Sequence, residues 1–322
     1  MRAALCRAFG GPDAIEVADL PDPVPATGEV VARVRAAGVN FADLLMAQGR
    51  YQVTPPLPYV PGLEFAGEVV AVGSGVADFR PGDRVAGAPL TGGCFAEYVA
   101  VPAARTVHVP DDLPLPLAAG ILVGHGTASY ALRWRGRLKP GETVVISGAG
   151  GGVGTAAIAV ARRMGARVIA AASAAKRETA GEADAFIDYT SEDLTARLKA
   201  LTGGRGVAVA LDLVGGTVFD SMLRAMAPLG RLLVVGFASG ELPRIPSERI
   251  LIKNLTVEGV GFGGVIGTVP GLGQEVADHV VTLHRAQPFA DGPAEFVTLG
   301  DVGLALGRMA ARQVRGKLLV RP

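Results

Sequence analysis

Between Ser147 and Thr155 the chain reads SGAGGGVGT, with glycine at 148, 150, 151, 152 and 154. A glycine turn between a strand and a helix leaves unpaired backbone N–H groups at the helix start, where the helix dipole adds partial positive charge. That combination suits a pyrophosphate. The spacing is Ala149-x-Gly151-x-x-Gly154, with alanine at the first position of the dinucleotide fingerprint, so the weight rests on context. Thr143 to Ser147 is a short β-branched run, Val153 to Met164 has helical character, Gly165 ends the helix, and Ala166 to Ala172 reads as a second buried strand. This is a βαβ unit. The uncharged run from Thr143 to Ala161 approaches the roughly 20 residues of a membrane span. Its glycines, each costing a helix interior about 1 kcal/mol, argue against one. The competing reading of the turn is a close helix–strand crossing with no ligand.

The end of the second strand bears on which dinucleotide is bound. An NAD site places an acidic residue about 20 positions after the turn, on the ribose 2′-OH. Here the chain reads Ala171, Ala172, Ser173, Ala174, Ala175, Lys176, Arg177, with no carboxylate. A serine hydroxyl and two cations suit a 2′-phosphate through charge-assisted hydrogen bonds, which points to NADPH. Otherwise Lys176 and Arg177 form a solvated helix start.

A chain of 322 residues exceeds the usual single core, so two domains are expected. Residues 1–117 show short alternating runs such as EVVARVRAAGV and FAGEVVAVGSGV, separated by proline- and glycine-bearing turns, and read as β-rich. Residues 118–263 alternate strands with helices, the pattern of a parallel sheet. The expected strands are 143–147, 166–172, 185–188, 207–212, 231–236 and 255–260. A helix near 271–287 and a strand at KLLVRP follow, and residues 264–322 are expected to return to the first domain. The edge strand NLTVEGV invites pairing, so a homodimer joined edge to edge is expected. The formal charge of +1 is well mixed, which argues against nucleic acid or an anionic membrane as partner. Cys6 and Cys94 make neither a disulfide framework nor a zinc lobe, and a reduced cytoplasm fits them. The N-terminal MRAALCRAFG is too short in apolar residues for a signal-peptide core.

The segments AAGVNFADLLMAQGRY, PYVPGLEFAGEVVAVGSGV, RPGDRVAG, GGCFAEYVAVPA, GTASYAL, LKPGETVVISGAGGGVG, ALDLVGG, GRLLVVGFASG and GKLLVRP run almost end to end. On them the chain resembles the medium-chain dehydrogenase/reductase superfamily, and within it the zinc-free NADPH:quinone oxidoreductases related to zeta-crystallin. The resemblance implies an α/β fold, with a doubly wound Rossmann domain inserted into a GroES-like β-rich catalytic domain made from both chain ends. It implies that the nicotinamide lies in a cleft between them. By position it places Asn40 and Tyr51 beside nicotinamide and substrate, and Thr127 and Tyr130 along the cofactor. Gly151, Gly152 and Val153 would meet the pyrophosphate, while Ser173, Lys176 and Tyr189 would surround the 2′-phosphate. Val214, Gly215, Gly236, Phe237 and Ala238 would follow the cofactor, with Phe262 and Gly263 near the nicotinamide and Lys317 near the cleft mouth. One departure is a helix after Lys176 about two residues shorter than is usual in the family.

Zinc-dependent relatives in the superfamily carry cysteine where this chain has Asn40, and histidine before the glutamate where it has Leu63-Glu64. A structural zinc lobe would need four clustered cysteines. His108, His125, His279 and His284 show no ligand-like spacing with carboxylates. His279 and His284 are expected in exposed or capping roles, with a place near substrate as the rarer option for His125. Without a Lewis acid an ordinary ketone lacks polarisation for hydride delivery. A quinone or conjugated enone needs only a hydrogen bond to the oxygen that takes up charge, and Asn40 and Tyr51 are the candidate donors. Alternatively Tyr51 is a packed hydroxyl in a proline-rich loop and Asn40 a turn-satisfying amide. Asp43 and Glu64 read as structural carboxylates needing Arg50 or a backbone amide as partner, Asp212 as a loop holder, and Cys94 as a small buried filler. Two rival functions stay open: an enoyl-thioester or 2-alkenal reductase with the same cofactor, and a non-catalytic NADPH-binding protein of the crystallin kind.

Overall fold

The computed structural model describes residues 1–289, 295–311, 313–314 and 317–322. Two units are resolved, one comprising Met1–Val123, Gly263–Asp278 and Asp291–Pro322, the other Gly124–Phe262 and His279–Ala290.

The first unit begins with an antiparallel pair, β1 (Arg2–Cys6) and β2 (Ile15–Asp19). Its main sheet is built from β3 (Glu29–Gly38), β4 (Phe65–Val72), β5 (Arg84–Gly87), β6 (Tyr98–Pro102) and β7 (Thr106–His108). In β3 the alternation is visible in the burial. Ala32, Val34 and Ala36 point inward and Arg33 and Arg35 outward, the period of two that a one-sided sheet requires. Phe65, Val69, Val85, Phe95, Val99 and Val101 complete that apolar face.

The second unit carries β8 (Thr143–Ser147), β9 (Arg167–Ala172), β10 (Ala185–Asp188), β11 (Val207–Asp212), β12 (Met226–Val234) and β13 (Thr256–Gly259). All pair in parallel in the order β10-β9-β8-β11-β12-β13. This is the doubly wound order 3-2-1-4-5-6, whose direction reverses between β8 and β11. Ligands of such sheets bind beyond the carboxyl ends at that switch point. The strands are buried on both faces, so β8 and β9 read as continuous apolar runs. The chain then returns to the first sheet as β14 (Glu295–Thr298) and β15 (Leu318–Arg321), giving the order β14-β15-β3-β4-β5-β7 with β6 also on β3.

Two local expectations are corrected. The strand expected from 231 starts at Met226, because Val207 pairs with Met226 before the ladder shifts to Val209 with Arg231. Leu229 takes φ 61° within that irregular stretch. The helix expected after Lys176 is replaced by the 3-10 turns Ala174–Lys176 and Glu178–Ala180. Two π-helical stretches, Ile121–Gly126 and Tyr130–Arg135, flank the single turn Thr127–Ser129. Among the described residues, no helix is long and apolar enough to cross a membrane.

Candidate functional site

In the second unit the glycine turn leads from β8 into the helix Gly152–Arg163, whose N-cap is Gly151. Each glycine has a different physical reason. Gly148 takes φ +60°, which glycine adopts without strain. A Cβ on Gly154 would lie 2.3 Å from the Gly148 carbonyl oxygen, so the helix packs against the turn only with glycine there. A Cβ on Gly150 would lie 2.4 Å from Cβ of Lys176, while one on Gly152 would meet nothing within 4 Å. The turn is therefore closed on the strand side and against Lys176, and open at Gly152. Ala149, at the first fingerprint position, is buried and its amide donates to the Ala171 carbonyl at 3.3 Å.

At the switch point Ser147 Oγ donates to Asp212 Oδ1 at 2.6 Å and accepts from the Leu213 amide at 2.9 Å. The Asp212 carboxylate also accepts from the amides of Val214 (3.1 Å) and Gly215 (3.0 Å), so it holds the loop after β11. Burial raises its pKa and these bonds oppose the rise. Gly236 and Ala238 are tied to the same loop through the carbonyls of Asp212 and Leu213. Val214, Gly215, Gly236, Phe237 and Ala238 thus gather beyond the carboxyl ends of β11 and β12.

Ser173 precedes the turn in which the Lys176 amide donates to the Ser173 carbonyl at 2.9 Å. Hydrogen bonds from Thr190, Ser191 and the Ala174 amide lower the pKa of Asp188 and fasten this turn to the end of β10. Tyr189 is partly buried and packs on the apolar core of the unit. Arg177 lies over the Phe186 ring at 4.3 Å, and the Lys176 side-chain stem packs on the glycine turn at Gly150. Thr127 opens the turn between the π-helical stretches, and the Tyr130 ring lies 5.3 Å from that of Phe262. His125 is buried against Phe289 at 4.3 Å. His279 departs from the expected exposed role: its Nδ1 is 2.6 Å from Ser129 Oγ and its ring meets the edge of Trp134. Burial and then the Arg133 charge push its pKa down to about 4. His284 Nδ1 accepts from the Phe289 amide, a capping role.

In the first unit Asn40 ends β3's continuation and starts the helix Phe41–Ala47, its amide donating to Asp43 Oδ2 at 2.7 Å. Its side chain is fully engaged as a donor: Nδ2 reaches the Gly38 carbonyl at 3.2 Å and Glu64 Oε1 at 2.9 Å. Lys317 Nζ donates to Asn40 Oδ1 at 2.9 Å and to Glu64 Oε1 at 2.6 Å. Glu64 Oε2 accepts from the Val123 amide at 2.9 Å. A Cβ on Gly38 would lie 2.2 Å from Glu64 Oε1, so glycine makes the room for this carboxylate. Lys317, not Arg50, is the charge partner. Asp43 is fully buried, and its pKa is raised to about 7, chiefly by burial, with the Glu64 charge adding and the Asn40 amide and Lys317 opposing. Tyr51 packs half-buried on Cys6, Met46, Tyr59 and Leu63, and burial followed by the Asp43 charge raises its pKa. Gly263 accepts from Arg105 at 2.8 Å through its carbonyl. Cys94 is a buried filler, as expected. Among the described residues, no group of three or more His, Cys, Asp or Glu could hold a metal ion.

Residues 26–111 match the family described as alcohol dehydrogenase GroES-like domain, and residues 152–278 the family described as zinc-binding dehydrogenase. The quinone oxidoreductase-like protein 2 homolog of Nematostella vectensis is 39% identical over 324 residues, covering 99% of this chain and 88% of that protein. The chain belongs to the quinone oxidoreductase family of the medium-chain dehydrogenase/reductases. Among solved structures of this family, the Escherichia coli quinone oxidoreductase complexed with NADPH superposes with a TM-score of 0.91 at 29% identity, covering 100% of both chains. A 2-haloacrylate reductase superposes with a TM-score of 0.90 at 29% identity, covering 100% of this chain and 99% of that one. The GroES-like and Rossmann architecture is therefore shared along the chain.

Sequence reasoning missed the joining of Asn40, Glu64 and Lys317. A signal was present, since a carboxylate at the start of a buried strand demands a cation. In the sequence, only the family resemblance brings Lys317 near the site.

Proposed function

We propose that this chain is a zinc-independent, NADPH-dependent oxidoreductase that reduces a quinone or a conjugated enone. The observation that carries the reading is the packing of the Lys176 side-chain stem on Gly150, which brings a lysine beside a turn suited to a pyrophosphate. Lys176 and Ser173 would hold the 2′-phosphate with Tyr189 beside them, and the backbone of Gly151, Gly152 and Val153 would meet the pyrophosphate. Thr127, Tyr130, Val214, Gly215, Gly236, Phe237, Ala238, Phe262 and Gly263 would line the rest of the dinucleotide. When bound, the reduced nicotinamide supplies a hydride. The chain's own contribution is to orient the electrophile and to stabilise the charge that gathers on its oxygen, which falls to the Asn40–Glu64–Lys317 cluster and to Tyr51.

Zinc, implied by the description of the nucleotide-domain family, does not suit this donor set. Leu63 offers no ligand atom, and Glu64 Oε1 is already bonded to an ammonium and an amide. A substrate whose conjugation spreads charge onto an oxygen needs no Lewis acid. The likeness to a 2-haloacrylate reductase favours a second reading within the same chemistry, in which a conjugated alkene is the substrate.

The test is oxidation of NADPH and of NADH against 9,10-phenanthrenequinone, 1,4-benzoquinone, a 2-alkenal and crotonyl-coenzyme A. NADPH-selective turnover of the quinones is expected, with zinc near zero in the purified protein. Lys176→Ala should raise the KM for NADPH by about tenfold or more, the worth of a charge-assisted bond, and leave that for NADH nearly unchanged. Turnover of the alkenal or thioester alone would move the function to the alkene reductases. Cofactor binding without turnover would make the chain a non-catalytic binding protein.

Three further assignments belong to the same reading. The catalytic domain is assigned to 1–117 and 264–322 and the dinucleotide domain to 118–263, whereas the compact units differ from these bounds in giving 118–123 to the first unit and His279–Ala290 to the second. The chain works as a homodimer, supported by the outer position of β13 in its sheet. A cytoplasmic location is supported by two free, buried cysteines.

A further inference from the structure

We propose that Lys317, held in place by Asn40 and Glu64, is the group that donates a hydrogen bond to the substrate oxygen as charge gathers there. The inference rests on the quinone or enone reading above and deepens it. Its basis is a count of donors. Lysine only donates and a carboxylate only accepts, so the contacts fix the Asn40 amide with Oδ1 toward Lys317 and Nδ2 toward Glu64. Both Nδ2 hydrogens then have acceptors, Gly38 O and Glu64 Oε1. Asn40 can donate to a substrate only by releasing a buried carboxylate or a backbone carbonyl, either of which is costly. The Lys317 ammonium carries three hydrogens, of which two are bonded, and among the described residues no third acceptor is present.

Exposure separates the roles in the same way. The Glu64 side chain is 1% exposed and that of Lys317 is 22% exposed, so the carboxylate is the buried anchor and the ammonium the accessible member of the pair. Two fixed bonds at a tetrahedral nitrogen also fix the direction of the third, which is the preorganisation that oxyanion stabilisation requires. A fixed ammonium thereby stands in for the positive charge that a metal supplies elsewhere. Asn40 and Glu64 are positioning residues in this scheme, and Lys317 is the catalytic one.

The test compares the double variant Lys317→Met/Glu64→Gln with Asn40→Ala, each assayed with NADPH and 9,10-phenanthrenequinone. Removing both charges avoids stranding Glu64 as an unpaired buried ion. In the double variant kcat is expected to fall by about 100-fold or more, the usual effect of losing an oxyanion donor, while the dissociation constant for NADPH, read by its fluorescence, stays within about threefold. Asn40→Ala should lose less than about tenfold in kcat, because the ammonium keeps one of its two anchors. As a second route, Lys317→Cys alkylated with 2-bromoethylamine restores an ammonium at nearly the same reach. Recovery of at least about tenfold in kcat upon alkylation is expected. Retained kcat in the double variant, or full alkylation without recovery, overturns the role of Lys317. No turnover of any quinone or enone by the unmodified chain overturns the functional reading itself.

Discussion

Asp43 illustrates how much one buried atom pair can set. Its carboxyl is pushed up from an ordinary 3.8 to about 7, with burial the main cause. The folded chain therefore keeps a proton that the unfolded chain releases near pH 4. The stabilisation from this group is complete below that point and is lost as pH rises toward about 7. His279 acts with the opposite sign. Its pKa is lowered from 6.5 to about 4, so below pH 6.5 the unfolded chain takes up a proton first and stability falls as pH drops. Asp43→Asn should remove the first slope alone. Urea midpoints at pH 4.5, 6 and 8 check this, and the difference between wild type and variant should grow with pH, the variant gaining by an amount on the order of a few kcal/mol. A difference that is flat across the range would sink the assignment. The burial of Asp43 was legible from its place behind Asn40 in a motif-bearing segment. Its helix-start amide partner is local and also within reach of sequence reasoning. The Glu64–Lys317 pair was not, because its members are 253 positions apart and meet only through the pairing of β15 with β3.

At the scale of elements, the glycine turn separates packing from binding. Gly154→Val would place a Cβ against the Gly148 carbonyl and should cost several kcal/mol, about the level of an overpacked core. Gly152→Ala meets nothing and replaces glycine in a helix, so its Tm should not fall and is expected to rise by up to what about 1 kcal/mol provides. The same methyl stands at an open turn position, and NADPH should bind about tenfold more weakly. Differential scanning fluorimetry with and without NADPH separates the two effects, and a loss of Tm in Gly152→Ala would contradict the account. The βαβ unit was legible because its signals are local: a β-branched run, glycines, basic residues in the last helical turn, then a second apolar run. The start of β12 was not, since MAPLG carries turn chemistry and joins the sheet only because β11 accepts an irregular register. Adjacency in sequence suggested two phosphate-facing cations, and the position of the Arg177 guanidinium over the Phe186 ring is a tertiary contact that adjacency does not reveal.

For the whole molecule, strand alternation with helices pointed to the doubly wound sheet, and the observed order agrees with it. Assembly is a separate matter. Among the described residues no strand pairs with the outer side of β13, and the helix Ser247–Lys253 before it leaves Leu251 and Ile252 about three quarters exposed. An open strand edge and exposed apolar side chains in the same unit are features that a second copy would cover. Sedimentation at micromolar concentration should show a dimer, and Leu251→Glu/Ile252→Lys should convert it to monomer with the second unit's circular dichroism unchanged. A monomeric wild type would end the proposal.

The pairing of Glu64 with Lys317 also has a bearing on biogenesis. A nascent chain is made at about 5–20 residues per second, so the 253 residues between the two take roughly tens of seconds to emerge. Throughout that interval Glu64 lacks its counter-ion, and burying it would leave a lone charge in the core. On this ground closure of the N-terminal β-rich segment is expected to wait for the C-terminus, while the parallel sheet, complete in sequence from 143 to 259, has its partners earlier.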